Sequence, residues 1–252
     1  MINIVKSEWI KLRTVTMNWV LTIIAVVFPS AIALLTAFFK GDDAVPIDAQ
    51  QLLQVILATS YIPVLLMMVV AAASITSEFG FGTIRPTFTA TPHRARVVLA
   101  KACVVVLFSI AVLVVVILIT VLGGAAVATA RGAHIDFGEV PTTTSAIVGL
   151  IVLSGLMAMV GLGVGMLARS TPATIAILII WPLMAEGLVG SLIGLVFANF
   201  NVIAWMPFRV GFLLNALEVD GGPSRLTAGL YFGAVAVALC AVGTWFVQRR
   251  DA

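Results

Sequence analysis

The sequence predicts an all-α membrane protein with six transmembrane helices, and three observations carry that reading. Hydrophobic residues make up 62% of the 252 and charged residues only 10%, against roughly 25% charged in a soluble domain, so the chain has too little polar surface to cover itself in water. Six apolar runs, at 17–39, 52–75, 97–122, 145–168, 173–198 and 227–247, are each long enough to cross about 30 Å of hydrocarbon as a helix of about 20 residues. They are rich in Val and Ile but lack period-two alternation, and a helix satisfies its own backbone hydrogen bonds in lipid. The third observation is that basic residues fall on alternate sides of the runs.

Lys6, Lys11, Arg13, Arg85, Arg94, Arg96, Lys101, Arg169, Arg249 and Arg250 gather on one side; Lys40, Arg131, Arg209 and Arg225 lie on the other. The excess of cations marks the first side as cytoplasmic, with both termini there and the cell membrane as the location. Most acids, among them Asp42, Asp43, Asp136 and Glu139, lie opposite. The isoelectric point near 9.2 therefore reflects topology and leaves no basic patch for nucleic acid. The first run is too long for a signal-peptide core and lacks a small-residue cleavage site, so it is expected to be retained, with the mature chain starting at or near Met1. Cys103 and Cys240 fall inside apolar runs, where no structural disulfide is expected.

Taken in order, residues 1–16 place Ile2, Val5, Trp9 and Leu12 at helical spacing, with Lys6, Lys11 and Arg13 positioned to snorkel toward headgroups. This reads as an amphipathic helix in the cytoplasmic interface rather than a frayed tail. The stretch 76–96 is the most polar cytoplasmic piece. Gly80 and Gly82 let the chain leave the second run sharply, Thr83 can cap a short helix across the membrane surface, Pro86 is tolerated in its first turn and Pro92 ends it. Arg94, Arg96 and Lys101 then anchor the third run. Gly161 and Gly165 give the fourth run a small-xxx-small face for close helix packing, within the chain or between two copies. The turn Arg169–Pro172 is short enough to make the fourth and fifth runs antiparallel neighbours.

In the fifth run, Trp181-Pro182 predicts a kink. Glu186, the one acid well inside a predicted run, lies fourteen residues past Pro172, about 20 Å along a helix. Two readings stay open for it. It is a carboxylate on a substrate path or gate, with Trp181, Phe208 and Arg209 as companions, or a structural group hydrogen-bonded to helix ends. The external element 199–226 carries Ile203, Trp205, Met206, Phe208, Phe212, Leu213 and Leu217. These predict a short interfacial or re-entrant helix before the turn Asp220-Gly-Gly-Pro223, which either caps the exit of a path or seals the bundle.

Glu78, Gly82-Thr83-Ile84-Arg85, Thr87, Pro92 and Arg94 resemble the cytoplasmic loop of the ATP-binding-cassette type-2 permeases, especially the actinobacterial exporter subunits. Ser7-Glu8-Trp9-Ile10-Lys11-Leu12-Arg13 resembles the N-termini of the same subunits. Pro86 departs from the helix-compatible residue more usual in that loop. The resemblance implies six membrane helices per half-transporter, an interfacial connecting helix as leader, and external helices between the last two spans. It also implies a coupling helix resting on a separate ATPase, with Glu78, Gly82, Thr83, Ile84, Arg85, Thr87 and Arg94 as the coupling residues.

The residues themselves agree with a partner of that kind. No Gly-x-x-x-x-Gly-Lys-Ser/Thr phosphate cradle occurs in the chain, so ATP and Mg are expected on partner ABC ATPase subunits and no cofactor or metal on this one. His93 and His134 have no nucleophile or ligand partner at a recognisable spacing, and His134, Asp136 and Glu139 read as a solvated turn. No catalytic residues are expected, since serine-elbow, zincin and paired intramembrane aspartate patterns are all missing. The chain is read as the permease subunit of an ATP-driven exporter, paired with a second permease chain, identical or related. It would move an amphipathic drug, lipid or peptide out of the cytoplasm by alternating access. The alternative is a membrane sensor or immunity subunit that binds a peptide without pumping it.

Overall fold

The computed structural model describes residues 2–40, 47–84, 86, 94–196, 201–217 and 222–249. Among these, all regular structure is helical, and six helices are long and apolar enough to cross a membrane: Thr16–Lys40, Ala49–Gly80, Arg94–Ala130, Thr143–Ala168, Thr171–Val196 and Arg225–Arg249. They are numbered first to sixth span in chain order. The leader helix, Ile2–Thr14, precedes them. Its last carbonyls are satisfied by the span that follows: Asn18 Nδ2 donates to Leu12 O at 2.8 Å and Trp19 Nε1 to Arg13 O at 2.7 Å, which sets the bend between the two helices.

Two spans run well beyond the apolar runs. The second has 32 residues and the third 37, about 48 Å and 55 Å of helix, where hydropathy marks only 52–75 and 97–122. Packing supplies the extensions. Asp48 caps the second span by accepting from the Gln51 amide at 2.7 Å. The polar residues Gln50, Gln51 and Gln54 stay helical because Leu52, Leu53, Ile56 and Leu57 bury the opposite face. The third span passes through a π-turn at Ile119–Gly123 and continues to Ala130. Gly123-Gly124 looks like a helix end in sequence, yet these glycines serve close packing: an added Cβ would meet Leu34 at 3.0 Å and Leu52 at 3.4 Å respectively.

The fourth span is the axis of the bundle, packed against the second, third and sixth. Gly161 and Gly165 face the second span, where a Cβ would lie 2.1 Å from the Met68 carbonyl oxygen and 2.8 Å from Ile75 Cγ2. The small-residue face is thus used within the chain. Ser109 of the third span and Ser154 of the fourth share a hydroxyl hydrogen bond of 2.6 Å. The fifth span is mostly exposed and widens into a π-turn at Trp181–Ala185, where Pro182 lacks the amide that would continue the α-helical ladder.

One end of the bundle carries a buried cluster drawn from Leu12, Ile75, Ile84, Val97 and Val247. The leader, the end of the second span, the start of the third and the end of the sixth therefore meet there. The opposite end is closed by Ala33, Ile47, Leu52, Ile56, Ala128 and Ala133.

Candidate coupling site and ion cluster

At the end where the leader meets the spans, four charges from three elements converge. Glu8 and Lys11 sit one turn apart on the leader, Glu78 lies in the last turn of the second span, and Lys101 lies in the second turn of the third. Lys101 Nζ binds Glu8 Oε2 directly, donates to Glu78 Oε1 at 2.8 Å and to the Ser74 carbonyl at 3.1 Å. Lys11 Nζ donates to Glu8 Oε1 at 2.7 Å and to Glu78 Oε1 at 3.1 Å. Lys101, Glu8 and Glu78 are 2%, 3% and 6% exposed, so these charges are tolerated because each meets its opposite.

Burial pushes the Glu8 carboxyl upward, but Lys101, by charge and hydrogen bond, and then Lys11 outweigh it and hold the group below the usual value of 4.5. Burial likewise pulls the Lys11 ammonium down, and the hydrogen bond to Glu8 with the charge of Glu78 outweighs that and leaves it above 10.5. Trp9 packs edge-on to Phe108 of the third span at 6.1 Å, and Leu12 is buried beneath the same helix.

This arrangement corrects three sequence-based expectations. Lys101 is not a headgroup anchor: it points into the chain and spends all three of its donors there. Lys11 does not simply snorkel, since it holds two carboxylates. Glu78 belongs to the second span's helix rather than to a polar loop. Glu8 was not singled out as a site residue. The available signal was Lys101 itself, a lone cation inside an apolar run, which asks for a buried counter-charge.

Beyond Glu78 the chain turns at Gly82, whose φ of +69° suits a residue without Cβ. The Thr83 hydroxyl donates to the Glu78 carbonyl at 3.5 Å, and Ile84, the residue after it, is helical. Ile84 is buried in the same cluster as Leu12. Of this stretch, Phe81, Gly82 and Thr83 are exposed, Phe81 at 83%, and Phe81 was not among the expected residues. Arg85 and Thr87, with Pro92 and His93, lie outside the described residues. Arg94 Nη1 donates to the Val247 carbonyl at 2.9 Å, tying the third span to the end of the sixth. Arg169 adopts a left-handed conformation, φ 55°, and stacks its guanidinium over Phe79 at 4.9 Å.

The second candidate group lies toward the other end. Glu186 accepts from the backbone amides of Phe208 at 2.8 Å and Arg209 at 3.1 Å. These amides open the helix Pro207–Phe212, so the external element folds back onto the fifth span and the carboxylate caps its first turn. Phe208 is buried edge-on to Phe232 at 5.7 Å, and Trp181 is 42% exposed on the fifth span. Glu186, Phe208 and Arg209 meet through the carboxylate, and Trp181 stands one π-turn earlier, its carbonyl accepting from the Glu186 amide. The hydrogen bonds match the helix-end reading of Glu186. At the loop 131–140, the Asp136 carboxylate is used on the Gly138 amide at 2.8 Å.

A family model described as "ABC-2 family transporter protein" matches residues 4–201, a stretch that takes in the leader, the first five spans and the ion cluster. None of the curated proteins matches the chain.

Proposed function

Because the chain belongs to the ABC-2 family of transporter proteins, and so is a membrane component rather than the ATPase, we propose that it is an exporter permease worked from its ion-clustered end. ATP and Mg are held by separate ABC ATPase subunits, and a second permease chain completes the path. The cargo is an amphipathic drug, lipid or peptide, moved outward by alternating access. The basic end faces the cytoplasm, as the Lys and Arg distribution favours.

The observation that carries this reading is the bridging of three elements by Glu8, Glu78 and Lys101. Phe81, Gly82 and Thr83 form an exposed tip at that end, where an ATPase would meet it. Displacing it moves Glu78, and through Lys101 and Glu8 the motion reaches the third span and the leader as one body. Arg85 and Thr87 continue the tip in the family resemblance and complete the coupling set.

Two measurements test this. An ABC ATPase should co-purify with the chain from mild detergent, and a cysteine at Thr83 should cross-link to it. Inverted vesicles holding both should show ATP-dependent uptake of an amphipathic cargo. A stable, active transporter in which the Thr83→Cys thiol stays fully open to labelling would overturn the coupling assignment, and flux driven by an ion gradient without ATPase would overturn the export mechanism.

A further inference from the structure

Around the leader helix the four sides differ in chemistry. Glu8 and Leu12, 3% and 4% exposed, face the ion cluster and the bundle. At about 3.6 residues per turn the opposite side carries Lys6, Ile10 and Arg13, all exposed. On one flank lie Trp9, edge-on to Phe108, and Ile2, which is 84% exposed. Phe108 stands seven residues past Lys101 along the third span, about 10 Å deeper into the bundle. The other flank carries Asn3, Ser7 and Thr14, all exposed. A helix lying along a membrane interface has this cross-section, with apolar groups toward hydrocarbon, amides and hydroxyls toward water, and cations at the headgroup level between them. Trp19 marks the same level beside Arg13, since its indole donates to the Arg13 carbonyl while the residue stays 49% exposed.

The outer side is charged in one sense. Glu8 is the leader's one acid and it is turned inward, whereas the Lys6 and Arg13 side chains make no ion pair or hydrogen bond among the described residues. They lie two turns apart on the same edge, about 10 Å. Cations placed so at the headgroup level match the phosphates of anionic lipid, and each contributes about fivefold to binding at such a surface. An acidic soluble partner would meet the same two cations but leave Ile2 and Trp9 in water, so the apolar flank favours the bilayer.

We infer that anionic phospholipid headgroups bind Lys6 and Arg13 and thereby clamp the ion cluster, because the helix they hold down is the one that delivers Glu8 and Lys11 to Glu78 and Lys101. Lipid charge then sets how often the leader lifts from the bundle. The clamp is independent of what the chain transports, and its test needs no ATPase.

Hydrogen exchange of the leader's amides reads that lifting in the purified full chain. In nanodiscs of equal parts phosphatidylglycerol and phosphatidylcholine, the leader should exchange about twentyfold more slowly than in phosphatidylcholine alone, and high salt should erode the difference. Lys6→Gln and Arg13→Gln should each remove about fivefold of that protection, the double variant nearly all of it, while Lys6→Arg combined with Arg13→Lys should keep it. In phosphatidylcholine alone the variants should match the native chain, which separates lipid binding from a packing role. Equal exchange of the native leader in both lipids would overturn the clamp. So would an unaltered lipid response in the double Gln variant, or faster exchange of that variant already in phosphatidylcholine. Inorganic phosphate added to phosphatidylcholine discs should leave exchange unchanged; slowing by it would assign the two cations to a free anion and overturn the bilayer as occupant.

Discussion

Lys101 sits between two buried carboxylates, so its removal leaves both Glu8 and Glu78 short of a partner in a poorly solvated place. Lys101→Met should therefore cost about 3–5 kcal/mol, read as a lower unfolding temperature in detergent and less assembled protein. Glu78→Ala should lose assembled protein for the same reason and cannot be treated as a pure coupling variant. The pH response follows from Glu8 and Lys11. Glu8 is held below 4.5, so its contribution is complete above that value and fades as pH falls through the lower folded value. Lys11 is held above 10.5, so its contribution is complete below that value and fades as pH rises through the higher folded one. The stability that Glu8 and Lys11 contribute should be flat from about pH 5 to pH 10; a marked step near neutrality that is lost on replacing either would contradict the pairing. At Glu186 the demand is for acceptors. Glu186→Gln should lose about 1 kcal/mol and transport normally, while Glu186→Ala should lose more by leaving two amides unmet. Altered transport by Glu186→Gln with intact stability would restore a role on the substrate path.

At the scale of elements, the fourth span's glycines decide how closely it approaches its neighbours. Gly161→Ala would put a methyl 2.1 Å from the Met68 carbonyl oxygen, which the second span can relieve only by moving away. A loss of about 1–3 kcal/mol is expected. Gly187→Ala in the fifth span has nothing within 4 Å and should be neutral, so the same unfolding measurement on both variants separates packing from a general dislike of substitution. The extensions of the second and third spans show why helix ends were the less legible part of the fold. Hydropathy reports what dissolves in lipid, and Gln50, Gln51, Gln54 and the pair Gly123-Gly124 do not look as if they should. Their helicity comes from neighbours that no local window contains, namely Leu34 and Leu52 against the two glycines and the buried leucine face beneath the glutamines.

For the whole molecule, sidedness and coupling are the measurable consequences. In membranes of known orientation, Thr83→Cys should label from the cytoplasmic face and His134→Cys from the other; labelling of both from one face would refute the six-span topology. With its ATPase present, Phe81→Ala should leave assembly and ATP hydrolysis intact while lowering transport several-fold, since it alters the exposed tip and not the buried cluster. Normal transport by that variant would assign the tip no part in coupling.

The all-α class and the six spans were determined by the sequence alone, because crossing a membrane is a matter of local composition and length. The family was legible from the short stretches around residues 7–13 and 78–94, whose polar residues stand out against apolar runs. What only the tertiary structure decided is which charges meet. Glu8, Glu78 and Lys101 are separated by 70 and 23 positions; a lone lysine inside an apolar run asks for a counter-charge, but nothing local says which carboxylates supply it. The same holds for Glu186, whose partners are backbone amides 22 and 23 residues away. A backbone donor carries no side-chain signature, and it is aimed only when the helix that owns it folds back.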